Sequence, residues 1–255
     1  MSQYVIVQQA GSVLELRLHR PDKRNALSLD MYRALSVALR RADASADIHA
    51  VLLQGDAGAF CAGNEIEAFI NEDAAALVAS TADVFDFMDA LRHCSKPVVV
   101  AVDGMAVGIG ATLLLHCDLV YATPRSRLVF PFARLGLCAE FASSLLLPRI
   151  AGRAFAAEAL LLGEPVTAEK AHQWGLINEV LPEGALLDHA RNRAQALAAL
   201  PPDAVQATRR LVAQSAYAGV TDTIARERAE FTALLVRPDV QAGFRQFVES
   251  KARRA

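Results

Sequence analysis

The chain has 255 residues, 53% hydrophobic and 21% charged, with a formal net charge of −2. That is enough apolar residue to bury one large core, and it leaves no global basic field of the kind that draws in nucleic acid or an acidic membrane surface. Apolar runs are interrupted before the roughly 20 residues a membrane-spanning helix needs, and Cys61, Cys94, Cys117 and Cys138 lie apart, without the paired spacing of a zinc site or a disulfide framework.

In chain order, Tyr4 to Gln8 and Val13 to Leu18 alternate apolar and polar residues around Ala10-Gly11-Ser12, which predicts a hairpin. The polar loop RPDKRNALS follows. Ser28 is placed to cap a helix from Leu29 to about Arg41, with Leu29, Tyr32, Leu35 and Leu39 at helical spacing. Residues 50–54, AVLLQ, read as a buried strand. The loop GDAGAFCAGNEIEAF then passes into a helix near Glu65, and a longer helical stretch runs from Ala74 to His93. The segment KPVVVAVDGMAVGIGATLLLHCD, residues 96–118, combines a β-branched buried strand, three glycines and an apolar helix. LVYA and LVF read as short strands. A loop around Gly136 to Ala142 leads into a helix that Pro148 interrupts or ends; residues 153–163 and Ala168 to Trp174 are helical and INEVLP is a strand. Everything from Glu183 onward reads as helix, punctuated by Pro201-Pro202 and Pro238, so the chain is an α/β protein with an all-helical last third.

The glycines after the buried strand point to chemistry. A helix that starts directly behind a strand leaves its first N–H groups unpaired, a place to hold negative charge, although a tight turn alone would also use glycine. From Gly108 the register is G-I-G-A-T-L, which lacks the third glycine of a dinucleotide fingerprint, and no G-K-[ST] is present. The loop FCAGN at 60–64 is a second glycine-bearing loop between a buried strand and a helix. Two such loops whose peptide N–H groups converge would stabilise a developing oxyanion without a charged side chain.

RPDKRNALS, FCAGNEIEAF and KPVVVAVDGMAVGIGATLLLHCDLVYA, in this order, resemble the crotonase superfamily of enoyl-CoA hydratases and isomerases, and the later LGL, LPRIAG and WGLINEV segments extend the resemblance over nearly the whole chain. It implies a spiral of ββα units over residues 1–182 and a C-terminal helical oligomerisation region over 183–255, building a homotrimer or dimer of trimers. It implies an acyl-CoA substrate, with coenzyme A as part of that substrate, no separate cofactor and no metal. Carried over by position, the oxyanion hole would be the N–H groups of Asn64 and Ile109, with the helix beginning near Gly108 adding a favourable dipole. The CoA-binding positions would be Lys23, Arg24, Ala26, Ala62, Asn64 and Ile66, joined by Phe247 and Lys251, with Phe244 nearby, on the last helix. No nucleic acid or membrane partner is expected, and the cytoplasm is the expected compartment.

Hydratases of this family use two glutamates, and here those positions are Thr112 and Phe132. Glu140 instead matches the single catalytic glutamate of the Δ3-Δ2-enoyl-CoA isomerases, and one carboxylate suffices to move a proton from C2 to C4 through a dienolate. Sequence chemistry alone favours reading Glu140 as a helix-start acid placed on the positive end of the helix that follows, and the family register reverses that preference. Phe132, Phe141 and the apolar CAEFA surroundings predict a partly desolvated carboxyl with a raised pKa. Glu65, Glu67 and Asp118 are expected to be structural, and His93 and His116 to be surface or core histidines. Another enolate reaction of this family (hydration, thioester hydrolysis or decarboxylation) and non-catalytic acyl-CoA binding are the alternatives.

Overall fold

A computed structural model describes residues 2–71 and 73–252. The elements in order are β1 (Val5–Ala10), β2 (Val13–Leu18), α1 (Leu29–Ala44), β3 (Ala50–Gln54), α2 (Ala74–Ser80), α3 (Ala82–His93), β4 (Val98–Val102), β5 (Met105–Val107), α4 (Ile109–Thr112), β6 (Leu119–Ala122), β7 (Arg127–Val129), α5 (Ser143–Ala151), α6 (Arg153–Ala157), β8 (Val166–Thr167), α7 (Ala168–Trp174) and β9 (Glu179–Val180). Four longer helices complete the chain: α8 (Glu183–Ala198), α9 (Pro202–Ala216), α10 (Val220–Leu235) and α11 (Pro238–Ala252).

Six strands form one sheet in the order β1-β2-β3-β4-β6-β9, with β1 antiparallel to β2 and the others parallel. A second layer holds β5-β7-β8, extended by bridges from Cys61 to Ala106 and from Leu27 to Asn64. The chain therefore repeats one movement: a strand in the large sheet, a short extended passage in the second layer, then a helix. This is the expected ββα spiral. The central strands β3 and β4 are buried along their whole length because both faces of the sheet are covered. One face meets α1, α3 and the second layer in the main core. The other carries Val13, Ala50, Leu52, Val99, Ala101 and Tyr121 against Leu186, Ala190 and Ala194 of α8. Among the described residues no helix is long and apolar enough to cross a membrane.

Most local expectations hold. The hairpin register pairs Val5 with Leu18 through Ala10 with Val13, and the Ser28 hydroxyl accepts from the Met31 N–H at the start of α1. Three differences have physical causes. The helix near Glu65 is only a 3-10 turn, Ile66–Phe69, because the Glu65 N–H is committed to the Leu27 carbonyl and its carboxylate to Arg20. The stretch from Ala74 to His93 is two helices meeting at Thr81, whose hydroxyl and N–H both turn back onto the Val78 carbonyl. After Gly108 the α-helix lasts one turn and tightens into a 3-10 turn, Leu113–His116, although every residue from Ile109 to His116 is buried as predicted. Pro148 sits inside α5, near its end, where few helical hydrogen bonds remain to be lost.

The spiral closes where two loops touch backbone to backbone. A Cβ on Gly110 would stand 2.8 Å from both the Cβ and the carbonyl oxygen of Cys61, and a Cβ on Gly63 2.9 Å from the Val107 carbonyl oxygen. Gly110→Ala is therefore expected to cost about 1–3 kcal/mol by overpacking a rigid contact. That corresponds to a thermal midpoint lower by roughly 2–10 °C, measured against Gly184→Ala in α8, where the added methyl meets open space and no loss is expected.

Candidate active site

The two glycine contacts bring FCAGN against MAVGIG and set the direction of two peptide groups. Leu27 donates to the Gly63 carbonyl at 2.8 Å and accepts from the Glu65 N–H at 3.0 Å. Both flanking peptides thus face Leu27, and by strand alternation the Asn64 N–H points away from it. Ile109 is the first residue of α4, so its N–H has no acceptor within the helix. Among the described residues neither N–H has a backbone partner. The helix behind Ile109 is too short for much of a macrodipole, so any pull on an anion comes from the peptide N–H itself.

Around Asn64 the structure gathers most of the predicted binding positions. The Ala62 N–H donates to the Arg24 carbonyl at 3.1 Å. Asn25, fully buried with φ 58°, donates its amide to the Ala59 carbonyl at 2.6 Å and accepts from the Arg20 N–H at 2.7 Å. Lys23, Arg24 and Ala26 are thereby fixed beside Ala62, with half-buried Ile66 opening the next turn. Lys23 and Arg24 are exposed, and the Lys23 ammonium lies 3.7 Å from Glu67 and 4.0 Å from Glu65. Phe247 lies elsewhere: it lines a groove between α11 and the Ala133–Leu135 turn with Arg134, Gly136 and Phe244, and neither Ala62 nor the 23–26 loop lines that groove. Lys251 belongs to α11, but its side chain lies outside the described residues.

Glu140 is buried, and its carboxylate accepts a hydrogen bond from the Thr112 hydroxyl. Desolvation pushes its pKa up to about 8; the Thr112 hydrogen bond works against this rise and the charge of Glu227 adds to it. The helix-start reading of Glu140 fails on geometry. The acid that satisfies the N-terminal end of α5 is Glu227, from α10, which accepts from the Ala142 N–H at 2.6 Å and the Ser144 N–H at 3.0 Å. Phe141 and Ala142, directly after Glu140, both have left-handed φ, 55° and 56°. His116 holds the Phe141 carbonyl at 2.7 Å through Nε2 and stacks on the Phe141 ring at 3.8 Å between centroids.

Four contributors were not visible as such in the sequence. Thr112 reads there only as a missing glutamate, yet it is the partner of Glu140. Tyr32, fully buried, donates its hydroxyl to the Asn64 side-chain oxygen; burial drives its pKa well up, and the charges of Cys61 and Glu140 add to the rise. Glu227 and His116 join the site from α10 and the turn after α4. The sequence signal for Tyr32 was its place on the buried face of α1, which does not say what its hydroxyl meets. The expected structural acids are structural: Glu65 pairs with Arg20 at 2.7 Å, and Asp118 takes Arg209 and the Val98 N–H, each at 2.8 Å. Among the described residues no group of three or more His, Cys, Asp or Glu could hold a metal ion.

Residues 8–254 match the family model described as "Enoyl-CoA hydratase/isomerase". The chain is 32% identical over 247 residues to the 2,3-dehydroadipyl-CoA hydratase of Escherichia coli, covering 97% of this chain and 96% of that one. It is 32% identical over 214 residues to the enoyl-CoA delta isomerase 2 of Rattus norvegicus, covering 83% of this chain and 54% of that protein. The solved structure of OdaA from Pseudomonas aeruginosa superposes with a TM-score of 0.91 at 40% identity, covering 96% of this chain and 99% of that one.

Burial holds His116 neutral, with its pKa pushed down to about 4. Between about pH 6.5 and 4 the unfolded chain binds a proton that the folded chain refuses, so this group's contribution to stability is complete above that window and lost on acidification. His116→Gln, which removes the titrating ring, is expected to lower the thermal midpoint at pH 7 while losing less between pH 7 and pH 5 than the parent does, measured by calorimetry.

Proposed function

From the premise that this chain belongs to the enoyl-CoA hydratase/isomerase family, we propose that it converts 3-enoyl-CoA to 2-enoyl-CoA. Family membership by itself does not choose the reaction, since both a hydratase and an isomerase are among the relatives. The observation that carries the choice is the acid inventory around the paired loops. Thr112 and Phe132 occupy the two positions where a hydratase of this family has glutamates, and Glu140 is a buried carboxylate whose pKa is raised to about 8 and whose hydrogen-bond donor is Thr112. Hydration needs one group to activate water and another to protonate the α-carbon, whereas isomerisation needs a single group that gives back the proton it took.

In this reading the thioester oxygen sits between the N–H groups of Asn64 and Ile109. Tyr32 holds the Asn64 side chain, which steadies the first donor. Glu140 removes a proton from C2, the C–H electron pair forms a C1–C2 double bond as the carbonyl pair moves onto the thioester oxygen, and the two N–H groups stabilise the dienolate, which is conjugated with the C3–C4 double bond. Glu140 then returns the proton to C4, leaving the double bond between C2 and C3 in conjugation with the carbonyl. The carboxylate ends as it began. Lys23 and Arg24 are the cationic side chains available to the phosphates of coenzyme A, with Ala26, Ala62 and Ile66 lining the approach. Phe247 and Lys251, on α11, would in this reading serve the coenzyme A of a neighbouring subunit. Assembly as a trimer or dimer of trimers through residues 183–255 belongs to the same reading, supported by the exposed Leu211 and Val212 on α9.

Incubation with a 3-enoyl-CoA is expected to give conjugated thioester, read by ultraviolet absorbance, and incubation with a 2-enoyl-CoA to give no 3-hydroxyacyl-CoA; the reverse pair of results would overturn the proposal. Glu140→Gln is expected to lower kcat by roughly 10²–10⁴-fold, the range of general-base catalysis, with a far smaller change in KM. Because Glu140 must be ionised to accept the proton, kcat/KM in the parent should rise with pH through an inflection near 8. Burial also shields the transferred proton from solvent. With substrate deuterated at C2, a substantial part of the label is expected at C4 of the product, by mass spectrometry; complete washout would speak against a single shielded carboxylate.

A further inference from the structure

Glu227 is a second buried carboxylate beside the Glu140 loop, and the proton transfer above makes no use of it. Its setting is specific. The residue at the N-cap of α5 is Ala142, which has no side-chain acceptor for the unpaired N–H groups of the first turn. Glu227 supplies the acceptor from α10. One of its oxygens takes the Ala142 N–H, and the other takes both the N–H and the hydroxyl of Ser144. The two backbone N–H donors and the Ser144 hydroxyl favour the ionised carboxylate, against burial, which raises its pKa.

What this carboxylate holds is the strained corner next to Glu140. Phe141 and Ala142 are successive non-glycine residues in the left-handed region, a conformation that persists only where surrounding contacts over-determine it. Glu227 fixes the corner from the N–H side. His116 fixes it from the carbonyl side through the Phe141 oxygen. Glu140 stands one residue before, and the direction of its side chain follows from where this corner is pinned.

We propose that Glu227 is a positioning residue for Glu140: by clamping the Ala142 and Ser144 N–H groups it keeps the Glu140 carboxylate in its buried place on Thr112. The proposal rests on the reading of Glu140 as the base. It makes the last third of the chain part of the site, since a side chain on α10, pinning a backbone N–H 85 positions earlier in sequence, decides where the base stands. The charge of Glu227 has a second effect, raising the proton affinity of Glu140. The other groups facing Glu140 are the Thr112 hydroxyl on α4, the Tyr32 phenol on α1 and the Cys138 thiol of its own loop. Burial raises the pKa of Glu227 while its bonds from Ser144 and Ala142 and the charge of Arg226 on α10 work against the rise, and neutral His116 lies behind Phe141.

The test uses two variants of the full chain. Glu227→Gln removes the charge and one acceptor; Glu227→Asp keeps the charge but withdraws it from the Ala142 and Ser144 N–H groups. The ionisation of Glu140 is followed by 13C NMR of carboxyl-labelled glutamate, its signal identified by its loss in Glu140→Gln, and kcat and KM are measured with 3-enoyl-CoA. In Glu227→Gln the Glu140 midpoint is expected to move to lower pH. In Glu227→Asp it should stay near the parent value. Both variants are expected to lose about 10- to 100-fold in kcat, the cost of an angstrom-scale misplacement, with KM within about twofold. A folded Glu227→Gln protein with the parental Glu140 midpoint, or a Glu227→Asp protein with the parental kcat, would overturn the proposal. Should Glu227→Gln not fold, the kcat of Glu227→Asp decides alone. Should the parent fail to isomerise, the reading of Glu140 as an isomerase base falls, and the two NMR titrations still report whether Glu227 governs its ionisation.

Discussion

The arrangement depends on one close approach: the backbone of the Gly63 loop lying directly on the backbone of the Gly110 loop. No side chain separates them, because a single methyl on either glycine would meet a carbonyl oxygen or a Cys61 atom at under 3 Å. The contact turns two remote segments into one surface. It also sets which way two peptide groups point, since Gly63 is paired to Leu27 on one side and abuts Val107 on the other. A hole made from peptide N–H groups needs no charged side chain and no reorganisation when charge develops, but it needs the two backbones held rigidly. Burial of the central strands β3 and β4, each feeding one loop, provides that rigidity.

A buried carboxylate is the second costly element, and the surroundings of Glu140 explain both why it is tolerated and what it can do. Water is excluded, so the protonated form is favoured and the pKa climbs to about 8. In the window between the ordinary carboxyl value and that one, the folded chain holds a proton that the unfolded chain releases. This group therefore takes stability away as pH rises, while His116, in its own window, takes stability away as pH falls. The two opposing slopes are the cost of keeping an acid and an imidazole dry beside one corner of the chain. What results is a carboxyl of higher proton affinity than an exposed glutamate, joined through Thr112 to the segment that begins at Ile109.

The chemistry that separates members of this family lies in which carboxylates stand near a shared backbone device. In this chain Thr112 stands where the resemblance puts a hydratase glutamate, and its hydroxyl supports Glu140. A chain with a carboxylate at 112 would put a second negative charge against the first, and the proton affinities of both would shift.

Much was legible in the sequence. Neighbouring residues encode the strands at 50–54 and 98–102, the Ser28 cap, the burial of the segment after Gly108 and the apolar surroundings of Glu140, because periodicity, capping and turn chemistry act within a few positions. The family motifs pointed to the two loops and to Glu140. The sequence left open whether Glu140 was a helix-start acid, and it could not show that the loops touch, that Tyr32 bonds Asn64, or that Glu227 occupies the end of α5. Those contacts join residues 32 and 85 positions apart, and they exist only once the spiral has closed and α10 has folded back over it. The same holds for the left-handed pair Phe141 and Ala142: no local preference favours that backbone, and contacts made by His116 and Glu227 hold it there.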